Sequence, residues 1–216
     1  MKFPLWISFG LLILGSFQCS QHSSQPSSDR SLPVLSKQYP VATHNPAGSM
    51  DGVRGLREAA NLQVDMVRRG THGRRVVRSM SPRYITIHST QNFSSGADAA
   101  RHSLALKRGA LRAPKRRGGN RIGYLIWHYS VDEGEAVQHM PTSEQGEHAD
   151  FAGPGNRYSI GVEMCENRGS DLNRTIDRTA KLTAYLMHRE GIPLSRVVPH
   201  YHWPRKGTSR PHKNCP

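Results

Sequence analysis

The chain has 216 residues, room for one ordinary domain and an appendage but not for two large domains. With 36% hydrophobic and 21% charged residues it is polar yet foldable, which excludes a collagen and a multi-span membrane protein, while three cysteines exclude a disulfide-stapled miniprotein. Thirty Lys and Arg against sixteen Asp and Glu leave a formal charge of +14, which points to an anionic partner such as nucleic acid, an anionic membrane face or a bacterial cell wall.

Residues 1–19 have the layout of a secretory signal, with Lys2 followed by a short apolar run ending at Gly15. The run is too short for a comfortable transmembrane helix. Cys19 stands where lipid-anchored bacterial proteins carry a cysteine, whereas Phe17 and Gln18 are bulkier than such sites prefer. Export to the periplasm or cell envelope is expected, and a membrane tether through Cys19 stays open. Residues 20–36, rich in Ser and Gln with Pro26 and Pro33, cannot build a core and read as a polar tether. Residues 37–82 read as an N-terminal extension. Helical spacing in Val53, Leu56, Ala60, Val64 and Val67 is broken there by Arg68-Arg69-Gly70 and Gly73-Arg74-Arg75.

The ordered domain is expected over 83–216. Tyr84-Ile85-Thr86-Ile87-His88 alternates and is β-branched, so it predicts a strand. Residues 96–107 predict a helix, and 108–121 a basic, Gly-rich loop in which Arg112, Lys115, Arg116 and Arg117 are candidates to meet an anionic surface. Strands are predicted over 124–131, 136–139 and 159–165. Residues 173–190 give the best helix, with Ile176, Ala180, Thr183, Ala184 and Met187 on one face and Gly191 then Pro193 to end it. A short strand at 197–200 closes the series. Strands mixed with helices predict an α/β fold, a small central mixed sheet flanked by helices. The domain is expected to be a monomer.

His88 and His200 each end a predicted strand, and Cys215 lies in the C-terminal tail. Imidazole nitrogen and thiolate sulfur suit zinc, and a catalytic zinc keeps three protein ligands and an open position. Spacing alone leaves a purely structural role for both histidines equally open, since no compact metal motif is present. Cys165, on an apolar strand, reads as a small buried hydrophobe.

The surrounding blocks are more specific. Ile85-Thr86-Ile87-His88-Ser89-Thr90, Trp127-His128-Tyr129-Ser130-Val131-Asp132, Ser159-Ile160-Gly161-Val162-Glu163-Met164-Cys165-Glu166-Asn167 and Val197-Val198-Pro199-His200-Tyr201-His202-Trp203 precede a closing Lys213-Asn214-Cys215-Pro216. In that order they resemble the zinc-dependent N-acetylmuramoyl-L-alanine amidases of the amidase-2 type, which include phage and bacterial wall lysins and are similar to peptidoglycan recognition proteins. The resemblance implies one zinc ion on His88, His200 and Cys215, a catalytic carboxylate at Glu163 and a lysine facing the reacting carbonyl at Lys213. It also implies substrate contacts at His148, which looks like a histidine at the mouth of the site, and at Trp127 and Asn156. Trp127 stands where some relatives carry a catalytic tyrosine, which leans the acid–base role toward Glu163. The loop between His200 and Cys215 is longer than in similar members and offers His202 and His212 as competing ligands.

The implied activity is hydrolysis of the amide between N-acetylmuramic acid and L-alanine in peptidoglycan or muropeptides. The alternative is a non-catalytic peptidoglycan-binding protein. A nucleic-acid partner is not expected, because charge alone suggests it and no nucleic-acid motif is present.

Overall fold

In a computed structural model, residues 50–113, 122–204, 209–211, 213 and 215 are described. The expected signal, tether and Cys19 therefore lie outside the described residues, as do Lys115, Arg116, Arg117 and His212. Among the described residues no helix is long and apolar enough to cross a membrane.

The described elements are α1 (Met50–Ala59), β1 (Leu62–Val64), β2 (Tyr84–Ser89), α2 (Ala99–Lys107), β3 (Tyr129–Val131), β4 (Ala136–Gln138), α3 (Pro154–Tyr158), β5 (Ser159–Met164), α4 (Leu172–Glu190) and β6 (Val197–Pro199), with three short 3-10 turns between them. The strands form a single mixed sheet in the order β1-β4-β3-β5-β2-β6. Only β3 and β4 run antiparallel, as a hairpin turned by Asp132, whose carboxylate accepts from Gly134 and Glu135 N–H groups. The α/β architecture expected from the sequence is the one observed.

The two faces of the sheet divide the labour. Ile85, Tyr129, Val131, Ile160 and Val162 point to one side and make the main core with Leu182 and Leu186 of α4. Period-two alternation sends their neighbours Thr86, His88, Ser130, Gly161 and Glu163 to the opposite side. That second face is where chemistry-bearing residues collect.

Three expectations are corrected. The boundary at 83 falls inside the fold, because β1 pairs with β4 and α1 packs on α4. Arg74, buried, forks onto both carboxylate oxygens of Glu144 at 2.7 and 2.8 Å and also donates to Val67 O, and Met80 enters the core. Residues 50–82 are therefore part of the domain, not an extension lying on it. Second, the strand expected over 124–131 is regular only at Tyr129–Val131. His128 N–H still donates to Gly161 O, but the Gly161 N–H goes to the His128 ring Nδ1 in place of a backbone carbonyl, while Ile126 pairs with Glu147. Third, α4 buries Thr175, Thr179, Leu182, Thr183 and Leu186, and leaves Ile176 48% exposed. The face is shifted because threonine can be buried once its hydroxyl bonds back to the helix, as Thr179 does to Thr175 O at 2.8 Å.

Helices α2 and α4 are bounded by local signals. Asp98 and Asp171 cap α2 and α4 by accepting N–H groups of Arg101 and Arg174, and Gly191 closes α4 at φ 67°, a conformation that suits glycine. Beneath the second face a chain of hydrogen bonds links β2, β5 and the turn after β6. The Trp203 indole donates to Thr86 Oγ1 (2.9 Å), Thr86 donates to Ser159 Oγ (2.7 Å), and Ser159 donates to Gly155 O (2.6 Å).

Candidate metal centre and cleft

Parallel pairing brings the C-terminal ends of β2 and β6 side by side, with Ile87 opposite Pro199, so the next residues, His88 and His200, become neighbours. The carboxyl ends of parallel strands are where open α/β sheets place their ligands. Cys215 is drawn to the same point by bonds to Tyr201 and Ser89, its thiol also donating to Ser89 O at 3.4 Å. Tyr201 N–H donates to Cys215 O at 3.1 Å, and Ser89 N–H donates to Cys215 Sγ at 3.2 Å. The donor atoms of His88, His200 and Cys215 lie within 4.8 Å of one another, and all three residues are buried. Burial raises the Cys215 thiol above its ordinary pKa, and the Ser89 N–H opposes that.

Hydrogen bonds decide which ring nitrogens carry protons. His200 Nε2 donates to Ala149 O at 2.9 Å, since a carbonyl only accepts. His148 Nε2 donates to Ser159 O at 3.3 Å, which leaves His148 Nδ1 as the acceptor for His88 Nε2 at 3.0 Å. His88 Nδ1 and His200 Nδ1 then both present lone pairs, and they face each other at 3.0 Å.

Desolvation, then the neighbouring imidazoles, hold His88 and His148 well below the usual histidine range. Two acceptor nitrogens at this distance call for a positive charge between them. A metal cation held by these residues would supply it. Two neutral imidazoles and a thiolate are a donor set that fits zinc.

Glu163 stands directly across from His88 in the β2–β5 ladder. Its Oε1 lies 3.9 Å from His88 Nδ1, and its buried Oε2 has no hydrogen-bond partner among the described residues. Burial pushes this carboxyl up to about 8, against the pull of Lys213. Lys213 is exposed and lines the same cleft. A carboxylate without a partner, a lysine and a three-donor cluster thus converge on one opening.

The cleft, about 300 Å³, is bordered on its apolar side by Leu111, Leu125, Trp127 and Phe151. Trp127 is 5% exposed and its indole donates to Ser130 Oγ at 2.8 Å, so it forms wall more than rim. His148 is placed behind His88, not at the mouth, although one edge still reaches the cleft. Asn156 is 1% exposed, and its Oδ1 accepts from His148 N and Ala149 N at 2.9 and 2.8 Å. Sequence reasoning missed this clamp and the carbonyls of Ala149 and Ser159. Backbone acceptors leave no mark in the residue types.

Among other predicted residues, His202 is exposed and packs on Trp203, outside the cluster. Cys165 is a free thiol packed with Ala99 and Val137. Arg112 stacks over the Tyr124 ring at 4.4 Å.

Residues 78–216 match the Amidase_2 family, described as N-acetylmuramoyl-L-alanine amidase. The chain is 41% identical over 133 residues to N-acetylmuramoyl-L-alanine amidase XlyA of Bacillus subtilis (strain 168), a stretch covering 61% of this chain and 41% of XlyA. It is 39% identical over 134 residues to CwlH of the same organism, covering 61% of this chain and 49% of CwlH. The chain thus spans less than half the length of either relative. The solved catalytic domain of XlyA aligns with a TM-score of 0.58 at 38% identity, over 70% of this chain and 90% of that domain. With more than half of its length matching that family, the chain belongs to the amidase-2 group of N-acetylmuramoyl-L-alanine amidases.

Proposed function

We propose that this chain is a zinc-dependent amidase that hydrolyses the bond between the lactyl group of N-acetylmuramic acid and L-alanine in peptidoglycan or muropeptides. The observation that carries the reading is the pair of imidazole nitrogens, His88 Nδ1 and His200 Nδ1, 3.0 Å apart, joined by Cys215 and flanked by Glu163. His88, His200 and Cys215 would hold the zinc, which would supply a Lewis acid and a water acidic enough to attack near neutral pH.

The chain's own residues do the rest. Glu163, with one oxygen 3.9 Å from His88 and the other unpartnered, is placed to take a proton from the attacking water. It then returns that proton to the departing L-alanine nitrogen, acting as base and afterwards as acid. With a metal held by His88, His200 and Cys215, Glu163 would be ionised, the form a base requires. Lys213 brings positive charge to the cleft where the carbonyl oxygen becomes negative. Trp127, Leu125 and Phe151 give the substrate an apolar wall.

The signal-like residues 1–19 support export to the cell envelope, where the +14 charge would hold the protein on an anionic wall. The test is mass spectrometry of purified muropeptides incubated with the zinc-loaded protein, beside Glu163→Ala. Free stem peptide and peptide-free glycan from the wild type alone are expected. Intact substrate returned by zinc-bound wild type would refute the amidase reading in favour of a binding protein.

A further inference from the structure

One short segment touches both histidines of the metal cluster from behind. The His148 ring accepts from His88 Nε2, and the next residue, Ala149, offers its carbonyl to His200 Nε2. Both backbone N–H groups of this dipeptide are held by the same atom, Asn156 Oδ1. The Asn156 amide is fixed in turn by Asp150, which accepts from Asn156 N, and by Phe151 O and Glu147, which accept from its Nδ2.

The fold also makes a slot for the ring. A Cβ on Gly161 would lie 2.7 Å from His148 Cγ and Nδ1, and one on Gly146 would lie 2.7 Å from His148 Cδ2. Two residues without side chains thus clamp the imidazole edge, and the Ser159 carbonyl sets which nitrogen faces His88. A side chain at the rim of a cleft for binding sugar or peptide would not need such confinement.

We propose that His148 and Asn156 are positioning residues of the metal centre, not substrate contacts: the clamped 148–149 dipeptide fixes the tautomers of both histidine ligands. This rests on the zinc reading above. Ligating histidines depend on an acceptor behind the distal N–H, and loss of such a partner typically weakens metal affinity about 10–100-fold. An imidazole as that acceptor carries a second requirement, because its far nitrogen must be protonated, and Ser159 O enforces this. Asn156 acts one step further out, by holding the dipeptide in place.

The experiment is competition for zinc between the purified full chain and a chromogenic chelator, with steady-state kinetics at saturating zinc alongside. His148→Leu is expected to weaken zinc binding about 10–100-fold with KM unchanged. His148→Gln, whose carbonyl can accept from His88, is expected to stay within about threefold of wild type. Gly161→Ala displaces the ring without altering any ligand and should weaken zinc in the same direction, which keeps the proposal testable if the leucine variant fails to fold. Wild-type zinc affinity in His148→Leu with a raised KM would overturn the proposal and return His148 to substrate binding. A glutamine variant as weak as leucine would overturn the acceptor argument. If wild type itself takes up no zinc, the metal reading fails, and that result is distinct from either.

Discussion

Replacing Glu163 by glutamine should stabilise the metal-free protein while removing activity from the loaded one. The carboxyl is only 13% exposed, one oxygen has no partner, and burial raises it from an ordinary 4.5 to about 8. A raised carboxyl imposes no penalty below pH 4.5, where it is protonated in both folded and unfolded chains. As pH rises, the unfolded chain loses its proton first, so folding is progressively opposed until the folded carboxyl also ionises near pH 8. At pH 7 that penalty is about 3 kcal/mol, and Glu163→Gln removes it. Urea denaturation of chelator-treated protein at several pH values between 4.5 and 8 measures it. The stability gap between variant and wild type should open with rising pH and shrink when zinc is added, because the cation stabilises the ionised carboxyl. Muropeptide cleavage by the loaded variant should fall about 10²–10⁴-fold, the range for loss of a general base. Parallel stability curves for the two proteins across that pH range would refute the placement of Glu163 as a buried, unpartnered acid.

Three further outcomes follow from the described contacts. Chelation should lower stability by about 4 kcal/mol relative to free zinc held a thousandfold above its dissociation constant, and Cys215→Ala should abolish that difference in thermal melts. Thr86→Val leaves the Trp203 indole without its acceptor and should cost about 1–3 kcal/mol in urea melts. The double variant with Trp203→Phe should cost less than the sum of the two singles, whereas simple additivity would refute the coupling. Arg74→Ala strands Glu144 in a nearly buried position and should destabilise by about 3–5 kcal/mol. An unchanged urea midpoint would show that the segment before residue 78 does not support the domain.

The parts of the fold that the sequence revealed are those with strong local signals. Alternation in residues 84–88 marks β2, and Gly191 marks the end of α4. The parts it hid are short or held by distant partners. Helical spacing from Val53 marks α1, but the same spacing runs on to Val67, where the chain instead forms the three-residue β1, a strand too short to show a pattern of its own. The regular strand expected through 124–128 is interrupted because a histidine ring, which periodicity cannot distinguish from any polar residue, replaces a backbone acceptor. At the site, residue types that can bind metal or move protons were visible as blocks. The supporting layer was not, because Asn156 contributes through an ordinary amide, and Ala149 and Ser159 through carbonyls that every residue possesses.

The bond from Ser89 to Cys215 joins positions 126 residues apart in the chain. Ser89 closes β2 and Cys215 is bonded to Tyr201 just after β6, so the contact depends on the parallel pairing of β2 with β6, which is slow to find because a long loop must close before any contact rewards it. Zinc cannot template this chain early, as it does in small domains whose ligands lie close in sequence. The donors meet only where β2 and β6 are paired, so the cluster is expected to require the assembled sheet. A partly folded chain has the histidines and the cysteine but nowhere that they meet, so tight zinc uptake would serve as a readout of completed folding.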